Sequence, residues 1–223
     1  MEFLYETHMH TMESSGCGVS SGREQAQAYK KRGYQGIIIT DHFINGYSTA
    51  PRRGSWREKM EYVVSGYEAA KKEGDKIDLD VFLGWEFTVR GSDFLTYGLD
   101  FEFLLDNPDI DKLTVPEYSQ LVRQNGGFLA QAHPYRDQSY IQHKMPVDPK
   151  YVDAIEVHNA SDTNETNKKA RDFAKNNNLP TQAGSDSHSV NTSRISGIIL
   201  EKKAANIFDI IDAIKQKRVR LLI

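Results

Sequence analysis

Short apolar runs alternate with helix-patterned stretches along the whole chain, and this alternation restricts the fold to one built from βα units. Phe3 to Thr7, Gly36 to Thr40, Val81 to Glu86, Phe128 to His133, Ala154 to His158, Pro180 to Gly184 and Gly197 to Leu200 read as seven buried strands. Near-continuous apolar runs of this length suit a parallel sheet covered on both faces. Between them, Ser21 with Glu24, Ser55 with Glu58 and Thr114 with Glu117 have the spacing of capping boxes, which satisfy two otherwise unpaired amides at a helix start. Met60, Val63, Val64 and Tyr67, and later Ile207, Ile210, Ile211 and Ile214, follow the i, i+3, i+4, i+7 spacing of a helix face packed on a sheet. Gly33, Gly74, Gly126 and Pro180 are expected helix stops.

At 223 residues, with no internal repeat, no Gly/Ser linker and no convincing boundary, the expectation is a single domain over residues 1–223. Asp100 to Asp111 carries five acids and no base and reads as a solvated excursion after the third strand. Seven strands in βα order fit an open doubly wound sheet or a closed barrel. Only a barrel draws the polar residues after every strand into one cluster, and those residues are the most informative in the chain.

Six of the seven histidines sit at or just beyond a predicted strand end. His8 and His10, in His-Met-His, are an i, i+2 pair whose imidazoles face the same side of an extended chain, about 7 Å apart. Asp186 and His188 repeat that spacing after the sixth strand. Asp41-His42 ends the second, where adjacent residues point opposite ways, so His42 is read as a metal ligand and Asp41 as its brace. Glu86 caps a turn, pairs with Arg90 or bridges two metals; the last is the sharper reading. His133 and His158 end the fourth and fifth strands. Each is individually compatible with a satisfied core histidine, but independent placement would not concentrate six histidines at five strand ends. His143 lies in a long connection, fits no such position and is read as a solvated loop residue. Imidazoles and carboxylates without a thiolate set favour zinc, manganese or iron, and more than four ligands implies more than one ion.

Composition narrows the partners. Twenty-eight Lys and Arg against 31 Asp and Glu leave a net charge of −3, so no global positive field attracts nucleic acid or anionic lipid. One cysteine, Cys17, excludes an internal disulfide and a Cys-rich zinc site. The absence of an apolar leader or an apolar run of membrane-spanning length points to a cytoplasmic chain with no membrane partner.

These residues, in this order, resemble the polymerase and histidinol phosphatase (PHP) family. His8-Met9-His10 looks like its first motif, Thr40-Asp41-His42 its second, Glu86, His133 and His158 its middle positions, and Gly184-Ser185-Asp186-Ser187-His188 its last. The resemblance implies a distorted seven-stranded (β/α) TIM-like barrel with two or three divalent ions (Zn, Mn or Fe) at its C-terminal face. It also implies that His8, His10, Glu86 and Asp186 hold one ion, that Glu86 bridges to a second held by His133 and His158, and that His42 and His188 take a third. Many members add a histidine or aspartate where this chain has Ser15 and Gly16, which leaves the third site short of a ligand; Glu13 and Cys17 are within reach of it, and an exposed Glu13 with an inert buried Cys17 is the equal alternative. Glu86, Asp186 and Asp41 are the expected catalytic carboxylates. Arg90, Arg136, Arg194 and the Arg52-Arg53 pair follow strands, and Arg194 and Arg53 are the expected phosphate binders.

The implied activity is hydrolysis of a small phosphomonoester, of which histidinol phosphate is one example, by metal-activated hydroxide. An exonuclease or nucleotide phosphodiesterase of the same fold is the alternative, with a non-catalytic metal-binding regulatory domain as a third reading. The net charge and the lack of a basic, aromatic stripe weigh against long nucleic acid.

Overall fold

The computed structural model describes residues 2–139, 141–142 and 145–223; the expectation for His143 lies outside the described residues. In chain order it comprises β1 (Phe3–Glu6), α1 (Gly22–Lys31), β2 (Gly36–Ile39), α2 (Trp56–Val63), α3 (Ser65–Ile77), β3 (Asp80–Val89), β4 (Ser92–Tyr97), α4 (Phe101–Asp106), α5 (Val115–Gln124), β5 (Phe128–Gln131), β6 (Ala154–Asn159), α6 (Asn164–Asn176), β7 (Thr181–Gly184), β8 (Gly197–Leu200), α7 (Ile207–Lys215) and β9 (Arg220–Leu222).

All seven expected strands form, but the sheet has nine, in the order β7-β6-β5-β4-β3-β2-β1-β8-β9. The two additions are antiparallel. β4 returns along β3 through a two-residue turn in which Arg90 (φ 52°) and Gly91 (φ 82°) both take the left-handed conformation that a tight hairpin demands. Arg-Gly is a weak turn signal beside Asn-Gly, which is why β3 and β4 do not separate by pattern. β9 adds to β8, which itself runs antiparallel to the first residues of β1. β4 also pairs antiparallel with β5, and the remaining pairs β1/β2, β2/β3, β5/β6 and β6/β7 are parallel.

The sheet nearly closes into a barrel. Beyond the end of β1, the chain leaves β8 and meets the continuation of β7: His10 N–H donates to Ser187 O at 2.9 Å, Ser187 N–H to His8 O at 3.3 Å, and Met9 bridges Ser187 in parallel sense. Thr7 Oγ1 donates to Ala183 O at 2.9 Å just below. The architecture is therefore a mixed α/β fold with a nearly closed, barrel-like sheet of nine strands, not a regular seven-stranded barrel.

Local signals hold at the three capping boxes, where the glutamate three residues on accepts the cap residue's N–H at 2.8, 2.7 and 2.9 Å. Met60, Val63 and Val64 are buried, as are Ile210, Ile211 and Ile214. Two expectations change. Gly74 lies inside α3, which runs on to Ile77 and stops where Asp78 turns left-handed (φ 55°). Asp100 to Asp111 is not a solvated excursion: Asp100 caps α4 by accepting the Phe103 N–H at 2.9 Å, and Phe103, Leu104 and Ile110 are buried against Trp85 and its neighbours. The acids of that segment line its outer side while its apolar residues close the core. Under the barrel wall, Phe87 stacks on Tyr118 with ring centroids 3.6 Å apart, and the Tyr118 hydroxyl accepts from Trp85 Nε1 at 2.8 Å. Among the described residues no helix is long and apolar enough to cross a membrane.

Candidate metal centre

Strand parity explains how the site forms. β1, β2, β3, β5 and β7 all end at the same rim, and the polar residues that follow their apolar runs turn inward there. Glu86 is the centre. Its Oε1 lies 3.3 Å from His8 Nε2 and 3.2 Å from His133 Nε2, while its Oε2 lies 3.4 Å from His10 Nε2 and 3.0 Å from His42 Nδ1. Each oxygen thus serves two imidazoles, one pair on either side. Asp186 Oδ1 lies 3.6, 3.3 and 3.6 Å from the Nε2 atoms of His8, His10 and His188. All but His42 and His188 of these side chains are essentially buried.

The surrounding bonds orient the imidazoles. Glu156 Oε1 meets His8 Nδ1 at 2.9 Å, which leaves Nε2 facing the cluster. Ser15 Oγ lies 3.2 Å from His10 Nδ1 and donates to Asp41 Oδ1 at 2.6 Å. Asp41 also accepts the Thr11 N–H and hydroxyl, each at 2.6 Å, so it braces the first loop and does not face the cluster. Arg136 donates to Asp186 Oδ2 at 2.7 Å, to Asp162 at 2.8 Å and to Asn159 at 3.2 Å, fixing the carboxylate it neutralises. His133 (φ 26°) and Asp186 (φ 52°) both take backbone conformations unusual for residues with side chains, a strain that the packed rim holds in place.

These donors fit divalent cations. Imidazole nitrogens of His8 and His10 face each other at 3.2 Å, and carboxylate oxygens converge on the same space, so lone pairs crowd a point that calls for positive charge. His42 Nδ1 is buried and has no hydrogen-bond partner among the described residues, although Glu86 Oε2 lies 3.0 Å away. Triplets whose ligand atoms lie within 4.8 Å of one another are His8-His10-Glu86, His8-His133-Asp186, Glu86-Asp93-His133 and His10-Cys17-His188.

The electrostatics follow. Burial alone would raise the Glu86 pKa, but His42 and His8 outweigh it and hold the carboxyl well below its usual range. Burial and then the neighbouring His42 lower His10 to about 3. For His8, burial works downward, but Glu156, Asp186 and Glu86 raise it well above the usual value. For Cys17, burial works upward, and His188 and His42 overcome it, so its thiol is lowered.

Seven of the expected ligands are brought together: His8, His10, His42, Glu86, His133, Asp186 and His188. His158 is not. A register shift between Glu156 and His158 interrupts β6, so Glu156 and Asn159 face inward and His158 turns toward Arg171 of α6. The place expected of His158 beside His133 holds Asp93, which lies on the unrecognised strand β4, opposite Thr88. Glu13 is spent on the start of α1, where it accepts the Gly22 N–H at 3.0 and 3.1 Å, so Cys17 is the residue that reaches His188. Arg53 and Arg194 are exposed on the loops after β2 and β7, and Arg90 is exposed in the hairpin turn. A cavity of about 650 Å³ between β8, β9 and α7 lies at the start of β1 and includes none of these side chains.

Known proteins share this geometry's fold. No curated protein sequence matches the chain. The structure is similar to a two-domain protein from Bacteroides vulgatus described as containing a predicted PHP-like metal-dependent phosphoesterase, at 16% identity and a TM-score of 0.74, covering 99% of this chain. This chain spans 64% of that protein's length. It is also similar to a putative metal-dependent phosphoesterase from Bifidobacterium adolescentis, at 14% identity and a TM-score of 0.57 over 94% of each chain. A third, an amidohydrolase from Chromobacterium violaceum with bound sulfate and no metal, matches at 14% identity and a TM-score of 0.61 over 97% of each chain. Residues 164–192, from the start of α6 past His188, match the family described as PHP-associated. The chain therefore carries a segment that matches the PHP-associated family within a fold similar to those of predicted metal-dependent phosphoesterases.

Proposed function

We propose that the protein is a metal-dependent hydrolase of a small phosphomonoester. The observation that carries the reading is Glu86, whose two oxygens each face a separate pair of imidazoles as a carboxylate bridging two ions would. Divalent ions so placed supply Lewis acidity toward phosphoryl oxygens and activate water near neutral pH. The chain's own groups set the frame: His8 is aimed by Glu156, His10 by Ser15 and Asp41, and Asp186 by Arg136 and Asn159. The buried carboxylates would by themselves repel a phosphate, so substrate anion and cations belong to the same site. Arg53 and Arg194 are exposed, make no ion pair among the described residues, and stand on the loops after β2 and β7, free to meet phosphate oxygens. A neighbour of the same fold holds sulfate, a tetrahedral dianion of phosphate-like shape.

Asp93 is assigned to the second ion with Glu86 and His133. The site is read as housing two or three ions of zinc, manganese or iron. Metal-stripped protein reloaded with each ion should release phosphate from a panel of phosphomonoesters, histidinol phosphate included. Preferential cleavage of short oligonucleotides would favour the nuclease reading, hydrolysis of amides alone would favour the chemistry of the Chromobacterium neighbour, and no turnover with any ion would leave a binding domain.

A further inference from the structure

We propose that Cys17 is a metal ligand and that it forms, with His188 and His10 and beside His42, a mixed nitrogen and sulfur site that takes a thiophilic divalent ion such as zinc in preference to manganese or magnesium. This rests on reading the cluster as a metal centre and adds to it a ligand and a metal preference.

Three observations carry it. The side-chain donors of Cys17, His188 and His10 lie within 4.8 Å of one another. His10 Nε2 is already directed at Asp186 and Glu86, 3.3 and 3.4 Å away, so it marks the corner shared with the carboxylate-rich centre. His42, whose Nδ1 lies 3.0 Å from Glu86 Oε2, stands beside this triplet, its ring 4.5 Å from that of His10 between centroids. The His10 and His188 imidazoles and the Cys17 sulfur, gathered within 4.8 Å of one another, supply three of the four donors of a tetrahedral zinc site.

The backbone holds the thiol there. Gly16 N–H donates to Tyr47 O at 2.7 Å and Val19 N–H to His188 O at 2.8 Å, so the loop bearing Cys17 is tied to the loops that carry its partners. Gly18 lets this loop press on the chain before it: a Cβ there would sit 2.1 Å from the Thr11 carbonyl oxygen. Where Ser15 and Gly16 offer no ligand, the next residue brings one. A thiolate is a soft donor that selects zinc, iron or cobalt over manganese and magnesium, which prefer oxygen.

The test uses the whole protein, whose single cysteine makes any thiol signal specific to Cys17. Metal-stripped protein titrated with cobalt(II) should develop a near-ultraviolet thiolate-to-cobalt charge-transfer band that Cys17→Ser lacks. Cys17→Ser should also retain one zinc ion fewer per chain. In the unaltered protein, zinc should slow alkylation of the thiol by iodoacetamide by about 10-fold or more, since a coordinated thiolate is masked, while manganese should protect far less. Absence of the cobalt band together with equal alkylation rates with and without zinc would overturn the proposal; the alkylation arm needs no variant and decides even if Cys17→Ser folds poorly. A cobalt band and zinc protection in a protein that hydrolyses nothing would uphold the thiolate site and defeat the hydrolase reading, and turnover without either signal would do the reverse.

Discussion

Glu156 meets Nδ1 of His8 at 2.9 Å and thereby commits the opposite nitrogen of that ring to the space between Glu86 and Asp186. The same carboxylate accepts the His133 N–H at 3.0 Å through its other oxygen, so one side chain sets the ring that follows β1 and the backbone after β5. Partners of this kind commonly contribute 10- to 100-fold, in order of magnitude, to metal affinity. Glu156→Gln should therefore weaken metal binding by about that factor, read by competition with a chromophoric chelator. Unchanged affinity would remove Glu156 from the site.

Glu86→Gln tests the bridge. The amide is nearly isosteric, so the fold should persist while metal content falls and phosphomonoester turnover drops by about 10² or more. Near-parental turnover in this variant would show that Glu86 does not link the two halves of the cluster.

His158→Ala and His133→Ala make a matched pair. His133 sits 3.2 Å from Glu86, whereas His158 faces Arg171 on the outer side of β6. His133→Ala should lose metal and activity, and His158→Ala should keep both, with stability changed by about 0.5 kcal/mol or less. Metal content measured on both variants decides the case, and loss of an ion in His158→Ala would contradict the outward placement.

Gly66 joins a helix to the site through close packing. A Cβ there would lie 2.0 Å from Thr11 Oγ1 and 2.3 Å from Asp41 Oδ2, groups that are themselves bonded at 2.6 Å. Gly66→Ala must push α3 away or break the Asp41 brace, and should cost about 1–3 kcal/mol in urea unfolding. A variant as stable as the parent would mean that the helix slides without resistance.

Acid–base linkage gives the metal-free protein a characteristic profile. Burial raises Glu6 to about 7, and the surrounding carboxylates lift His8 well above its usual value against the effect of its burial. Groups raised on folding bind protons more tightly in the native state, so their contribution is complete below the unfolded value and is lost as pH rises through the folded one. His10, lowered to about 3, has the opposite sign and loses stability only as pH falls below about 6.5. Between about pH 6.5 and 8 the raised groups, which include His42, His133 and His188, outnumber the one opposing group, the lowered Cys17 thiol, and the metal-free Tm should fall across that window. Bound cations replace the departing protons, so the gain in Tm on adding zinc should grow over the same interval. Calorimetry with and without metal checks it; a metal-free Tm that rises from pH 6.5 to 8 would contradict the profile.

What the sequence determined by itself was local. Apolar runs marked the seven strands, Ser21, Ser55 and Thr114 marked helix starts, and polar residues placed directly after apolar runs named His8, His10, His42, Glu86, His133, Asp186 and His188, because short-range sterics and strand parity act over a few residues. The tertiary structure decided what depends on pairing across the chain. One register shift in β6 exchanged His158 for Glu156 and Asn159, since an extra residue reverses every later side chain on a strand. The Arg90-Gly91 turn folded β4 back on β3 and delivered Asp93, and the bond from Val19 to His188, 169 residues apart in sequence, selected Cys17 over Glu13. No spacing within a single segment records those contacts, because they arise only when the sheet curls far enough for β7 to meet the end of β1.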